Sequence, residues 1–121
     1  VPEAIGTALC RIDEIPDGAA RGFTLGGGGA KLRIFAVRRG DAVHVYVNRC
    51  PHVGTPLDWA ENEFLDREGR HIVCATHGAL FRIDDGRCVA GPCQGDRLEP
   101  FPFAVRDGVV HALDEFAADF E

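Results

Sequence analysis

The sequence predicts an all-β fold. Three observations carry that reading. Apolar residues recur at every second position in short segments, glycine, proline and aspartate punctuate them, and only the C-terminal stretch has helical spacing. Taken in order, the glycines at 26–29 are too few for a domain linker and read as a loop. Residues 31–37 form a β-branched and aromatic segment. In residues 42–48, Val43, Val45 and Val47 fall on one face, and His44, Tyr46 and Asn48 on the other. Arg38, Arg39, Gly40 and Asp41 separate these two segments as a hairpin turn, a better reading of Arg39-Gly40-Asp41 than an adhesion motif. Further strands are expected at residues 71–73, 81–83, 103–106 and 109–113, the last two joined by Asp107-Gly108. In the tail, Phe116 and Phe120 share a helical face, so a turn or two of helix is expected there, with a frayed acidic tail as the alternative.

Length and composition bound the function. A chain of 121 residues fits a single domain, residues 1–121. A net charge of −6 argues against nucleic acid or an anionic membrane surface as partner, since both would repel it. No apolar run approaches the roughly 18 residues of a membrane span. The first ten residues have neither a basic region nor a long apolar core, so no signal peptide is read and a cytoplasmic location is expected. Five cysteines in that setting favour ligands and free thiols over a disulfide framework.

Two loops carry the chemistry. "NRCPHVGTPLDW" holds Cys50 and His52, and "VCATHGALF" holds Cys74 and His77. Each pair follows an expected strand, and a glycine follows each pair, Gly54 and Gly78. Glycine lets a loop turn tightly and approach a bound ion closely. Two thiolates and two imidazoles suit a tetrahedral structural zinc. Zinc fingers, however, pair like ligands, whereas each loop here contributes one of each, with 21 residues, Val53 to Val73, between the pairs. That order fits an unsymmetrical dinuclear centre better, with two cysteines on one iron and two histidines on the other. Replacing two thiolates by neutral imidazoles removes negative charge, so an added electron is repelled less.

The residues "CPHVGTPL" and "CATHGALF" resemble the two cluster-binding loops of Rieske [2Fe–2S] proteins, C-x-H followed by C-x-x-H. The likeness extends through "VYVNRCPH", similar to the family's approach strand, and through "GRCVAGPCQGDRLEPFPFAVRDGVV", similar to its glycine turn, Gly-Pro covering loop and closing hairpin. It covers about residues 7–113. The resemblance implies a small antiparallel β-sandwich with a cluster-binding subdomain built from loops at about 49–57 and 73–81, covered by a proline loop at about 91–96. It implies one [2Fe–2S] cluster per chain, with Cys50 and Cys74 on the buried iron and His52 and His77 on the outer one. Thr55 and Thr76 stand where respiratory relatives carry a bridging cystine. Ala79 and Phe81 stand where those relatives carry hydroxyl donors. These four differences, and the absence of a membrane anchor, point to the low-potential ferredoxin type, similar to the ferredoxin components of ring-hydroxylating dioxygenase systems.

That type implies a one-electron carrier rather than an enzyme, taking electrons from a flavoprotein reductase and passing them to a terminal oxygenase. In 121 residues there is no room for a mononuclear iron domain as well, and His44, His71 and His111 read as strand residues. Asp58, Glu61, Glu63, Asp66 and Glu68 lie between the loops, either as an acidic docking surface or as a solvated face. Two other functions are weighed: a small subunit or redox-sensing regulatory module of a larger oxidoreductase, and a zinc-stabilised binding module. The gap between the loops is a few residues longer than the type usually has. Cys88 and Cys93 flank Gly91-Pro92 and are read as reduced thiols, with a local disulfide as the alternative. Cys10 reads as a small strand residue.

Overall fold

A computed structural model of the chain describes residues 8–25, 32–49, 51, 57, 64–66, 68–74, 78–91 and 94–112. Among them are nine strands: β1 Ala8–Arg11, β2 Ala20–Leu25, β3 Leu32–Arg39, β4 Ala42–Val47, β5 His71–Val73, β6 Leu80–Arg82, β7 Cys88–Ala90, β8 Phe103–Arg106 and β9 Val109–Ala112. They form three antiparallel three-stranded sheets, ordered β1-β9-β8, β2-β3-β4 and β5-β6-β7. The one helical element described is a single 3-10 turn, Ile12–Glu14. The all-β expectation is met.

Turn chemistry sets the hairpins. β3 runs to Arg39, two residues beyond the sequence expectation, and pairs Arg39 with Ala42. The turn is therefore Gly40-Asp41 alone, with Gly40 at φ +60°, the pattern of a type II′ turn. Asp107 and Gly108 both have positive φ, 53° and 76°, and join β8 to β9. Two positive φ angles make a type I′ turn, whose twist matches that of the strands it joins. β5 and β8 lie where the sequence places them. β6 starts one residue earlier than expected, β9 is described to Ala112, and the loop at 26–29 and the tail from 113 lie outside the described residues.

The β2-β3-β4 sheet is buried on both faces. Ile34, Ala36, Val43, Val45 and Val47 pack on Cys10, Ile15, Phe101, Val110 and Ala112 of the β1-β9-β8 side. Phe35, Val37 and Tyr46 pack on Phe64, Ile72, Cys74, Phe81, Ile83 and Leu98 of the β5-β6-β7 side. This explains why residues 34–37 are apolar without alternation, each fully buried: the central strand of a two-sided sheet has no wet face. Phe35 stacks on Phe64 with ring centroids 4.3 Å apart, tying the middle sheet to the segment that precedes β5.

Tyr46 gives the same contact a polar lock. Its buried hydroxyl donates to the Ile83 carbonyl at 2.6 Å. Burial, with Asp85 and Asp84 nearby, pushes this phenol from 10.0 up to about 12. A raised folded-state value means that the stabilisation is complete below pH 10.0 and is lost as pH rises through about 12. In alkaline unfolding, wild type should therefore lose more stability across that window than Tyr46→Phe. Parallel curves for the two proteins would contradict the lock.

Candidate metal centre

The β5-β6 hairpin builds the second loop. Its outer flank is held by Val73 N–H donating to Phe64 O at 2.8 Å and Asp66 N–H to His71 O at 2.9 Å. β5 ends at Val73 and delivers Cys74, which is fully buried in the core cluster that also holds Ile72, Phe81, Phe64 and Leu57. Past Cys74 the ladder continues for one rung, with Cys74 N–H donating to Ala79 O at 2.9 Å. Gly78 N–H donates back to Cys74 O at 2.8 Å, and Gly78 has φ +70°. Both ends of the segment that carries His77 are thus fixed by backbone bonds to the residue that carries the thiol.

A third segment closes against this hairpin. β7 pairs Ala90 with Leu80, which brings Gly91 beside Ala79. A Cβ added at Gly91, where φ is +101°, would lie 2.7 Å from Ala79 Cα and 3.1 Å from Ala79 Cβ. Gln94 N–H donates to Gly91 O at 3.3 Å, turning the chain back after the expected covering segment. Only glycine permits this approach. The first loop is framed by Asn48 at the end of β4 and by Leu57, which is fully buried, with Leu57 N–H donating to Asn48 Oδ1 at 2.7 Å.

Of the four expected ligands, Cys74 is described, and Cys50, His52 and His77 lie outside the described residues. Among the described residues no three metal-ligating side chains gather. The observations at Cys74 fit an iron–sulfur cluster. A thiolate in apolar surroundings is costly unless a metal cation compensates it. The glycine approach at Ala79 places backbone, with no side chain, over the same hairpin. Ala79 and Phe81 are fully buried and bring no hydroxyl to it.

The remaining candidates have local roles. Asp66 accepts N–H bonds from Arg70 at 2.8 Å and His71 at 3.3 Å, and its other oxygen faces His71 Nδ1 at 3.3 Å. Burial opposes ionisation of Asp66, but those donors outweigh it and hold the carboxyl below the usual carboxylate range. Asp66 therefore braces its own turn. Glu68 is exposed, while Asp58, Glu61 and Glu63 lie outside the described residues, as do Thr55 and Thr76. His44 and His111 are half-buried strand residues, and His111 Nδ1 has no hydrogen-bond partner among the described residues. Cys10 is a buried residue of β1, where burial pushes its thiol up. Cys88 is buried, its thiol directed at Ala90 O at 3.2 Å, and Cys93 lies outside the described residues. Sequence reasoning missed Asn48. The available signal was a polar residue on the face shared with Tyr46, two positions before Cys50 of the first C-x-H.

A family model described as the Rieske [2Fe-2S] domain matches residues 6–114. Among solved structures, a chain of the complex of reduced oxygenase and oxidized ferredoxin in carbazole 1,9a-dioxygenase is similar, with a TM-score of 0.68 at 24% identity, covering 91% of this chain and 94% of that one. The Sphingomonas yanoikuyae B1 ferredoxin has a TM-score of 0.65 at 24% identity, with 89% of this chain and 97% of that one covered. The terminal oxygenase of carbazole 1,9a-dioxygenase from Nocardioides aromaticivorans IC177 has a TM-score of 0.69 at 22% identity, with 92% of this chain but 31% of that one covered. At these identities the likeness establishes the fold. No curated protein matches the chain.

Proposed function

The chain belongs to the Rieske [2Fe-2S] domain family, and from that membership we propose that it is a ferredoxin-type one-electron carrier serving a terminal oxygenase. Family and fold fit electron transfer rather than transformation of a substrate. The observation that carries the reading is the hairpin tip, where a fully buried Cys74 donates its N–H to Ala79, the residue that Gly91 approaches. Likeness to ferredoxins over nearly their whole length supports it, as does likeness to a chain of an oxygenase–ferredoxin complex. A flavoprotein reductase is the proposed donor. No described helix is long and apolar enough to cross a membrane. Cysteine usage favours the cytoplasm.

In this proposal Cys50 and Cys74 hold the inner iron, and His52 and His77 the outer iron. When bound, the cluster supplies reversible one-electron chemistry. The chain's part is to hold it and to keep water from its inner side. Leu57, Phe64, Ile72 and Phe81, buried in the same core cluster as Cys74, do the second task.

The reduction potential tests the reading. A hydrogen bond to a charged group is worth about 1.5–3 kcal/mol. If that were wholly differential between redox states, one donor would raise a one-electron potential by roughly 60–130 mV, an upper bound. Ala79 and Phe81 offer no such donor, so the potential should lie near the low end of the Rieske range, about −150 mV. Protein-film voltammetry measures it directly. A potential well above zero would remove the ferredoxin-type assignment.

A further inference from the structure

Apart from the aromatic and cysteine residues of the core, Asn48 is the one polar residue buried among those described, at 9% exposure. It stands where β4 gives way to the segment carrying Cys50 and His52. Its N–H donates to Arg33 O at 2.8 Å, a bond that holds this strand end to β3. The next N–H, that of Arg49, turns back to Val47 O at 2.9 Å. A bond between residues two apart is a γ-turn, so the chain leaves the sheet at Asn48. The side-chain oxygen then accepts the N–H of Leu57, nine positions on, at 2.7 Å. Leu57 is fully buried in the cluster that contains Cys74. One amide side chain thus ties together the two ends of the first loop, and the returning end enters the core cluster that holds the thiol of the second.

We propose that Asn48 is a positioning residue for the cluster. Its carbonyl fixes the point at which the first loop returns to the core, and thereby holds Cys50 and His52 where they can share a centre with Cys74 and His77. The inference rests on the ligand assignment proposed above. A buried N–H deprived of its acceptor pays its full desolvation cost, so removing the carbonyl favours an open loop. Tyr46 supplies the contrast. Two residues earlier, it makes a buried bond of 2.6 Å to Ile83 O, past the end of β6 that is remote from the Cys74 turn, so it joins the two ends of neither ligand-bearing loop.

The test uses the full chain with its cluster and measures, near neutral pH, how fast a ferrous-iron chelator strips iron from the dithionite-reduced protein. Asn48→Ala should release iron roughly tenfold faster than wild type or more. Asn48→Ser, with a shorter hydroxyl acceptor, should fall between them. Tyr46→Phe should release iron at the wild-type rate even where its thermal midpoint falls. If Asn48→Ala matched wild type, or if Tyr46→Phe released iron as fast as Asn48→Ala, the proposal would be overturned. Should Asn48→Ala not load, Asn48→Ser carries the comparison, and release at the wild-type rate overturns it. A wild-type chain that takes up no iron and sulfide would overturn the ligand assignment, and the role of Asn48 with it.

Discussion

Cys74→Ser is expected to give a colourless chain with roughly a tenth or less of the wild-type iron, because its hydroxyl cannot replace a thiolate ligand in a site whose metal is coupled to folding. Cys74 is fully buried at the hairpin tip, so solvent offers no substitute ligand by an easy route. The substitution also leaves a hydroxyl in apolar surroundings, at about 1–3 kcal/mol if unpaired. Cys88→Ser separates the two effects. Cys88 is equally a buried thiol of the same sheet, but it points at Ala90 O, where a serine hydroxyl can donate in its place. Cys88→Ser should keep wild-type iron. Iron analysis of the purified variants checks both. Equal iron in Cys74→Ser and wild type would remove Cys74 from the ligand set.

Gly91→Ala should weaken both the fold and the grip on iron. The left-handed backbone at φ +101° costs an L-residue about 1–3 kcal/mol. The added Cβ would also lie 2.7 Å from Ala79 Cα, and a backbone atom cannot move aside as a flexible side chain can. The second loop must shift, since Ala79 O is the acceptor for Cys74 N–H. Gly95 is the control, at φ +103° with nothing within 4 Å of an added Cβ. Gly95→Ala carries the backbone strain alone. Thermal denaturation should place Gly91→Ala below Gly95→Ala, and only Gly91→Ala should release iron to a chelator faster than wild type. Indistinguishable variants would mean that the approach of Gly91 to Ala79 has no bearing on the loop.

The parts of this fold legible in the sequence were those set by local chemistry. Gly40-Asp41 and Asp107-Gly108 announce hairpins because their backbone angles exclude most other residues. The alternation of Val43, Val45 and Val47 announces a strand because one face is buried in a single cluster. β2 and β7 were not legible. β2 carries Gly22 at its centre and lacks alternation, and β7 has three residues, too few for any period to show. Burial of β3 on both faces depends on sheets built from distant residues, so its continuous apolar run was readable as a strand but not as a central one. At the site, C-x-H and C-x-x-H name the ligands through donor chemistry alone. The return bond from Leu57 to Asn48 needs the folded core to bring its ends together, and a lone asparagine before a cysteine does not declare it. Within the acidic run between the loops, the service of Asp66 to the backbone of its own turn was not legible, because it depends on the folded turn at Arg70 and His71.

The central claim is one [2Fe–2S] cluster per chain held by Cys50, His52, Cys74 and His77. Pulsed electron paramagnetic resonance of the dithionite-reduced full chain, with iron and acid-labile sulfide counted on the same sample, tests it most directly. Two irons and two sulfides per chain are expected, with a paramagnetic signal coupled to two imidazole nitrogens, since only two-histidine ligation puts those nuclei on the iron. A colourless protein containing zinc, or an iron–sulfur signal without nitrogen coupling, would contradict it.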